Sequence, residues 1–333
     1  MTIDSTKREE GRLAGREIWV DRAERYGLLI AWLVVIAMFG AARPDTFLSW
    51  ANFSTIFGSQ AVLVVVTLGL IIPLTAGDYD LSIASVLTMC SMLVAVLNVW
   101  QGWPIGLAVL AALAAGMLVG AANALIILYF RIHSLIVTLG MGTFIHGVTL
   151  WFSQSQTVSG VDIALIRAVI ATRLFGIPLA FYYAIAIALI IWYVFTYTAA
   201  GQRLLFVGRG REVARLSGIR VDRVRFSALV ASSLLGAIGG VLYAGTTGAA
   251  DPSSGLTYLL PAFAAAFLGA TSIVPGRFNP IGSVIAVYFL VTGITGLSIL
   301  GISTFVQDLF YGGALILAVA LSQLVRGREE RLT

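Results

Sequence analysis

Long apolar runs broken by short polar interruptions fill the chain from residue 27 to residue 325. A hydrocarbon core of about 30 Å takes roughly 20 helical residues to cross. Ten segments of about that length are predicted: 27–42, 58–76, 81–99, 105–130, 134–153, 177–198, 226–249, 257–274, 280–299 and 303–325. The expected fold is all-α, a polytopic membrane helical bundle. Residues 1–26 are left as an amino-terminal tail and 326–333 as a carboxyl tail, with a hydrophilic loop over 199–225. Gly, Ala and Ser are frequent in the apolar runs, so helices can approach closely without a hydrophobic force between them.

Composition sharpens this picture. Of 333 residues 59% are hydrophobic and only 11% charged, against about 25% charged in soluble domains. Loop arginines carry the net charge of +5, and the apolar bulk leaves no room for a nucleic-acid-binding domain. The lone Cys90 excludes an intramolecular disulfide or a cysteine metal cluster, and His133 and His146 are too few for a histidine cage. No metal or cofactor is expected in this chain. The first 26 residues mix Lys7, Arg8, Arg12 and Arg16 with Glu9, Glu10 and Glu17 and show no A-x-A cleavage motif. They read as a cytoplasmic tail, either solvated or, through Trp19, lying at the interface as an amphipathic helix.

Basic residues orient the bundle. With the amino end inside, ten spans place 18 of the 21 basic residues on the inner side and only Arg43, Arg167 and Arg173 outside. Both termini are then cytoplasmic. The longest outer loop, Gln154 to Gly176, is suited to a short interfacial helix over Asp162 to Phe175 and to a periplasmic partner. Trp100, Trp103 and Trp151 fall at the outer boundary, where indoles anchor at headgroup level.

Seven arginines lie between Ala200 and Arg225. Within this island Glu212 to Ser217 suits a short helix stopped by Gly218, a form that can fill a groove on a partner. Elsewhere two interruptions echo each other: Gly77-Asp78-Tyr79-Asp80-Leu81-Ser82 and Gly276-Arg277-Phe278-Asn279-Pro280-Ile281. The echo suggests two structural repeats, a common way to build transporters. Asp78 and Asp80 stand between closely spaced spans. They form either a gate or clamp, accepting hydrogen bonds from amides or an arginine, or a solvated turn. Ser82, Asn123, Thr138, Asn279 and Asp308 are the further polar candidates for a translocation path.

Several activities are excluded. Lys7 is the only lysine, so no P-loop is present, and no H-E-x-x-H or G-x-S-x-G motif occurs. An enzyme is not expected. Active transport would draw on an ion-coupling site, for which Asp78, Asp80 and Asp308 are candidates, or on a separate nucleotide-hydrolysing subunit.

Asp80-Leu81-Ser82, Thr138-Leu139-Gly140-Met141, Ser159-Gly160, Ala214-Arg215-Leu216-Ser217-Gly218-Ile219 and Leu268-Gly269-Ala270 occur in that order. With these motifs the chain resembles, from about residue 28 to 325, the permeases of bacterial ABC sugar importers of the ribose, xylose and arabinose type. The resemblance implies an inner-membrane permease paired with a second copy or paralogue, cytoplasmic ATPase subunits that use ATP and Mg, and a periplasmic sugar-binding protein. It implies that Gly208 to Gly218 is the coupling segment, with Gly208, Gly210, Arg211, Glu212, Ala214, Arg215, Leu216, Ser217 and Gly218 meeting the ATPase. The chain departs from the family pattern at Asp78, where a second glycine is usual, at Ala84, and at Arg209, Arg211 and Val213. An ion-coupled transporter, a non-transport membrane component and a permease for another small polar solute are the alternatives.

Overall fold

The computed structural model describes residues 25–303 and 305–332, with side chains through residue 320. The expected amino-terminal tail therefore lies outside the described residues, apart from Arg25 and Tyr26, which open the first helix.

The elements in chain order are α1 (Arg25–Ala42), α2 (Pro44–Phe47), α3 (Trp50–Ser59), α4 (Ala61–Thr75), α5 (Ile83–Ala95), α6 (Ile105–Phe130), α7 (Ser134–Phe152), α8 (Ile163–Ile166), α9 (Leu179–Tyr197), α10 (Ala199–Arg209), α11 (Arg211–Leu216), α12 (Val221–Thr247), α13 (Leu256–Gly269), α14 (Pro280–Ile299) and α15 (Phe305–Leu332). A π-helical turn, Val96–Trp100, extends α5, and another, Arg167–Ala171, extends α8. Strand pairing among the described residues is confined to β1 (Val158–Ser159) with β4 (Ala249–Ala250) and β2 (Arg173–Leu174) with β3 (Ile177–Pro178), both antiparallel.

Among the described residues seven helices are long and apolar enough to span a membrane, and the pair α3 and α4, bent by 41°, makes up to eight. The chain is thus a polytopic helical membrane protein. The last two predicted spans short of this test correspond to α13, of 14 residues, and to the apolar part of α15.

Why α13 is short follows from its neighbours. The middle of α12 marks mid-depth: Gly236 faces Ile83, and Gly240 faces Leu87 and Ser91. Helix α5 therefore begins about halfway along α12. Gly255, just before α13, lies against Ala84, and its N–H donates to Thr88 Oγ1 at 3.0 Å. After β4 pairs with β1 at one end of the bundle, the chain runs inward through 251–255 and starts α13 at the level where α5 starts. Fourteen residues rise about 21 Å, enough to reach the opposite end from there.

The innermost helices are α4, α5 and α12, whose Val64, Val65, Leu68, Ile83, Leu87 and Leu229 are completely buried. Outer helices present lipid-facing residues instead, such as Leu118, Phe144 and Ile190. Cys90 is buried between α5 and α6, its thiol donating to the Ala112 carbonyl at 3.2 Å. Trp100, Trp103 and Trp151 are all exposed. The outer-loop helix expected over Asp162 to Phe175 ends at Ala171, because the tight β2–β3 turn then pairs Arg173 with Pro178.

Candidate functional site

The site begins where α4 ends. Pro73 inside the last turn of α4 cannot donate to the helix ladder, and its carbonyl accepts from the N–H groups of both Ala76 and Asp78, closing the helix. Gly77 then turns the chain with φ +76°. Residues 76–82 return toward mid-depth, carrying both aspartates.

Asp78 is buried and ion-paired. Arg225, in the first turns of α12, donates from Nε to Oδ2 and from Nη2 to Oδ1, each at 2.7 Å. Arg211, the first residue of α11, donates from Nη2 to Asp78 Oδ1 at 3.0 Å and to the Gly77 carbonyl at 2.9 Å. The carboxylate side chain is 2% exposed, that of Arg225 13% and that of Arg211 40%. The Asp78 carboxylate is thus paired with arginines rather than solvated.

Asp80 is also fully buried, but its donors are neutral. Oδ1 accepts from the Ser82 N–H at 3.0 Å and the Ser82 hydroxyl at 2.6 Å, and Oδ2 from the Ser232 hydroxyl at 2.8 Å. Asn123 Nδ2 donates to Ser82 Oγ at 2.8 Å, which joins α6 to this network. Thr138 Oγ1 accepts from the Leu81 N–H at 3.1 Å, and Ser134 Oγ accepts from the Tyr79 N–H at 3.0 Å. An extended segment inside a membrane bundle needs such partners, since its amides have no helix to satisfy them. The structure thus brings Asp78, Asp80, Ser82, Asn123 and Thr138 together around residues 76–82.

The hydrophilic loop packs directly beneath. Helix α10 crosses the end of α4 at Gly208, where an added Cβ would collide with the Thr75 carbonyl. Gly210 separates α10 from α11. Helix α11 begins at Arg211, one residue earlier than the sequence suggests, because Gly210 in extended backbone is its N-cap and accepts from the Ala214 N–H at 2.9 Å. It ends as expected: Gly218 has φ +79°, its N–H donates to the Arg215 carbonyl at 3.0 Å, and the Ile219 N–H donates to the Ala214 carbonyl at 3.0 Å. This is a Schellman cap. Ala214 is buried against the body, whereas Val213 is 59% and Leu216 88% exposed. Ser217 is exposed, and its hydroxyl donates to the Val213 carbonyl. Among the described residues Glu212 pairs with Arg215 alone, at 3.3 Å. A cavity of about 480 Å³ opens beside the clamp, bordered by Asp78, Arg131, His133, Arg211, Glu212 and Arg225.

The family described as branched-chain amino acid transport system / permease component matches residues 52–319. The chain belongs to that family. The permease is similar to the D-allose transport system permease protein AlsC of Escherichia coli, at 28% identity over 91% of this chain and 92% of the relative. It is 25% identical to the xylose transport system permease protein XylH of the same organism, over 91% of this chain and 92% of the relative. With the ribose import permease protein RbsC, again of Escherichia coli, it shares 28% identity over 87% of this chain and 91% of the relative. No solved structure matches the permease.

Two sequence candidates fall elsewhere in the permease. Asn279 caps α14, accepting from the Gly282 N–H at 2.6 Å and donating to the carbonyls of Gly269, Ser272 and Arg277. Asp308 is exposed in the first turn of α15, away from the clamp. Sequence reasoning passed over Arg225, Ser134 and Ser232. Arg225 was visible as the last arginine of the basic island, but nothing in the sequence singled it out from its neighbours. Thr67, Thr75, Ser91, Thr143 and Thr292 donate to carbonyls of their own helices, the usual use of hydroxyls in apolar helices.

Proposed function

We propose that this chain is the permease subunit of an ATP-driven importer and carries a monosaccharide across the bacterial inner membrane by alternating access. What favours a sugar is that the allose, xylose and ribose permeases each align with about nine tenths of the chain. The family description names branched-chain amino acids, and a permease for another small polar solute is the competing reading.

One observation carries the mechanism: Arg211 belongs to the surface helix α11 and also binds the Gly77 carbonyl and Asp78 at the start of the returning segment. Helix α11 presents Val213 and Leu216 to solvent, apolar knobs suited to the groove of a partner. A cytoplasmic ATPase subunit, using ATP and Mg, would seat this helix. Closure of two such subunits around a permease pair would displace α11, and Arg211 would pass the displacement to residues 76–82 and, through Asp78, to Arg225 and α12. Asp78 acts in this scheme as a clamp between moving parts rather than as an ion site. Its charge is already matched by two arginines, which argues against a proton- or sodium-coupled cycle.

With both ends cytoplasmic, the pairing of β1 with β4 faces the periplasm, where a sugar-binding protein would deliver substrate. The test is to purify the tagged full-length protein in mild detergent, identify what accompanies it, and measure sugar uptake in vesicles containing the complete set. A P-loop ATPase that co-purifies and is lost on Leu216→Asp is the expected result. Uptake that persists without any ATPase but collapses with an uncoupler would replace this reading by ion-coupled transport.

A further inference from the structure

The two echoing interruptions share a left-handed glycine and an Asx side chain that accepts from the backbone, and carry opposite charges beside the glycine. Gly77 and Gly276 both have positive φ, +76° and +80°. Three residues on, Asp80 and Asn279 each accept from a backbone N–H just beyond, those of Ser82 and Gly282. The residue directly after the glycine is Asp78 in the first and Arg277 in the second. Asp78 is buried between two arginines. The guanidinium of Arg277 is exposed and has no carboxylate partner among the described residues. Among the described residues, the second interruption thus presents a cation without a carboxylate counterion.

Beside Arg277 lies a cavity of about 230 Å³. Its walls include Trp192 and Phe195 from the last turns of α9, Val274, and Ile281 from the start of α14, with Gln202 of α10 at its polar edge. Two membrane-spanning helices end here, so the cavity sits where hydrocarbon gives way to headgroups. Tyr193 and Tyr197, 58% and 63% exposed on the same end of α9, are the aromatic anchors expected at that level. Apolar walls and, at the rim, a cation with no ion pair among the described residues are complementary to a phosphodiester with acyl chains attached.

We propose that this cavity binds one anionic phospholipid from the leaflet on the side of α11, its phosphate on Arg277 and an acyl chain along Trp192, Phe195 and Ile281. The bound lipid supplies the negative charge that Asp78 supplies in the first interruption, and it tethers the α13–α14 turn to α9 and α10. This site is independent of the transported solute.

The experiment is native mass spectrometry of the full-length permease in detergent, titrated with phosphatidylglycerol or with phosphatidylcholine of the same chains. Wild type is expected to retain one phosphatidylglycerol in preference to phosphatidylcholine. Arg277→Gln should weaken that binding roughly fivefold, the effect of one cation at an anionic surface. Ile281→Trp, which fills the cavity and keeps the arginine, should weaken it as well, and Arg223→Gln, an exposed cation elsewhere on the same end, should not. Equal binding of the two lipids, or unchanged phosphatidylglycerol binding in Arg277→Gln, would overturn the proposal. So would loss of a co-purifying protein from Arg277→Gln with lipid binding intact, which would make the missing counterion an acidic side chain of that partner.

Discussion

Arg225 grips Asp78 with both ends of its guanidinium fork, Nε and Nη2 each 2.7 Å from a separate carboxylate oxygen. Planar, two-point pairing of this kind fixes direction as well as distance. It ties residues 76–82 to α12, while Arg211 ties the same carboxylate to α11.

Removing the carboxylate should therefore cost more than removing either arginine. Asp78→Ala leaves Arg225 largely buried without a counterion, a loss of about 3–5 kcal/mol. Arg225→Gln keeps the Arg211 contact and should cost about 1–3 kcal/mol. The losses in the double variant should fall short of their sum by at least about 0.5 kcal/mol. Unfolding of the purified permease in detergent measures all three, and strict additivity would mean that the pair is not coupled.

Glu212→Ala and Arg215→Ala touch only an exposed pair, with side chains 83% and 57% exposed. Each should change stability by no more than about 0.5 kcal/mol. Sugar uptake in the reconstituted system should nevertheless drop while ATP hydrolysis continues. Normal uptake in both variants would remove these residues from the coupling surface.

Gly208→Ala puts a methyl group into the Thr75 carbonyl. Pushing α10 off α4 should cost about 1–3 kcal/mol, and uptake should fall even though α11 itself is unchanged. A melting temperature and uptake rate equal to wild type would show that the contact between α10 and α4 is not maintained in the working transporter.

Asp308→Asn should leave uptake unaltered, since the carboxylate is exposed in the first turn of α15. A large loss of uptake, together with sensitivity to a proton or sodium gradient, would revive ion coupling.

Orientation is open to chemical labelling. Leu216→Cys should react with a membrane-impermeant maleimide only after the cells are opened, and Trp103→Cys in intact cells. Labelling of both in intact cells would contradict a cytoplasmic α11. The native Cys90 is buried and should stay silent.

Much of the bundle was legible because lipid demands continuous apolar helices, and their lengths are written in the sequence. The stop at Gly218 was legible for a local reason: a left-handed residue closes α11 there. The half-length of α13 was not. Its apolar run continues past Gly269, and only the contact of Gly255 with Ala84 and Thr88 reveals that it starts at mid-depth. Asp78 and Asp80 read alike in sequence, yet one meets two arginines and the other three neutral donors. That difference is set by α11 and α12, more than 130 positions away in the chain. Asn279 read as a path residue because its role as a helix cap depends on the turn from Gly269 to Gly282.

The contact at Gly208 has a mechanical meaning. With no side chain between α10 and the last carbonyls of α4, that joint has almost no slack, and it works as a rigid bracket. Compliance is left to the seven residues between Thr75 and Ile83, which lie outside the helices and turn at Gly77. In the proposed cycle a push on α11 would thus be spent on bending one short strip of chain at the centre of the bundle, and the helices on either side of it would swing as intact rods.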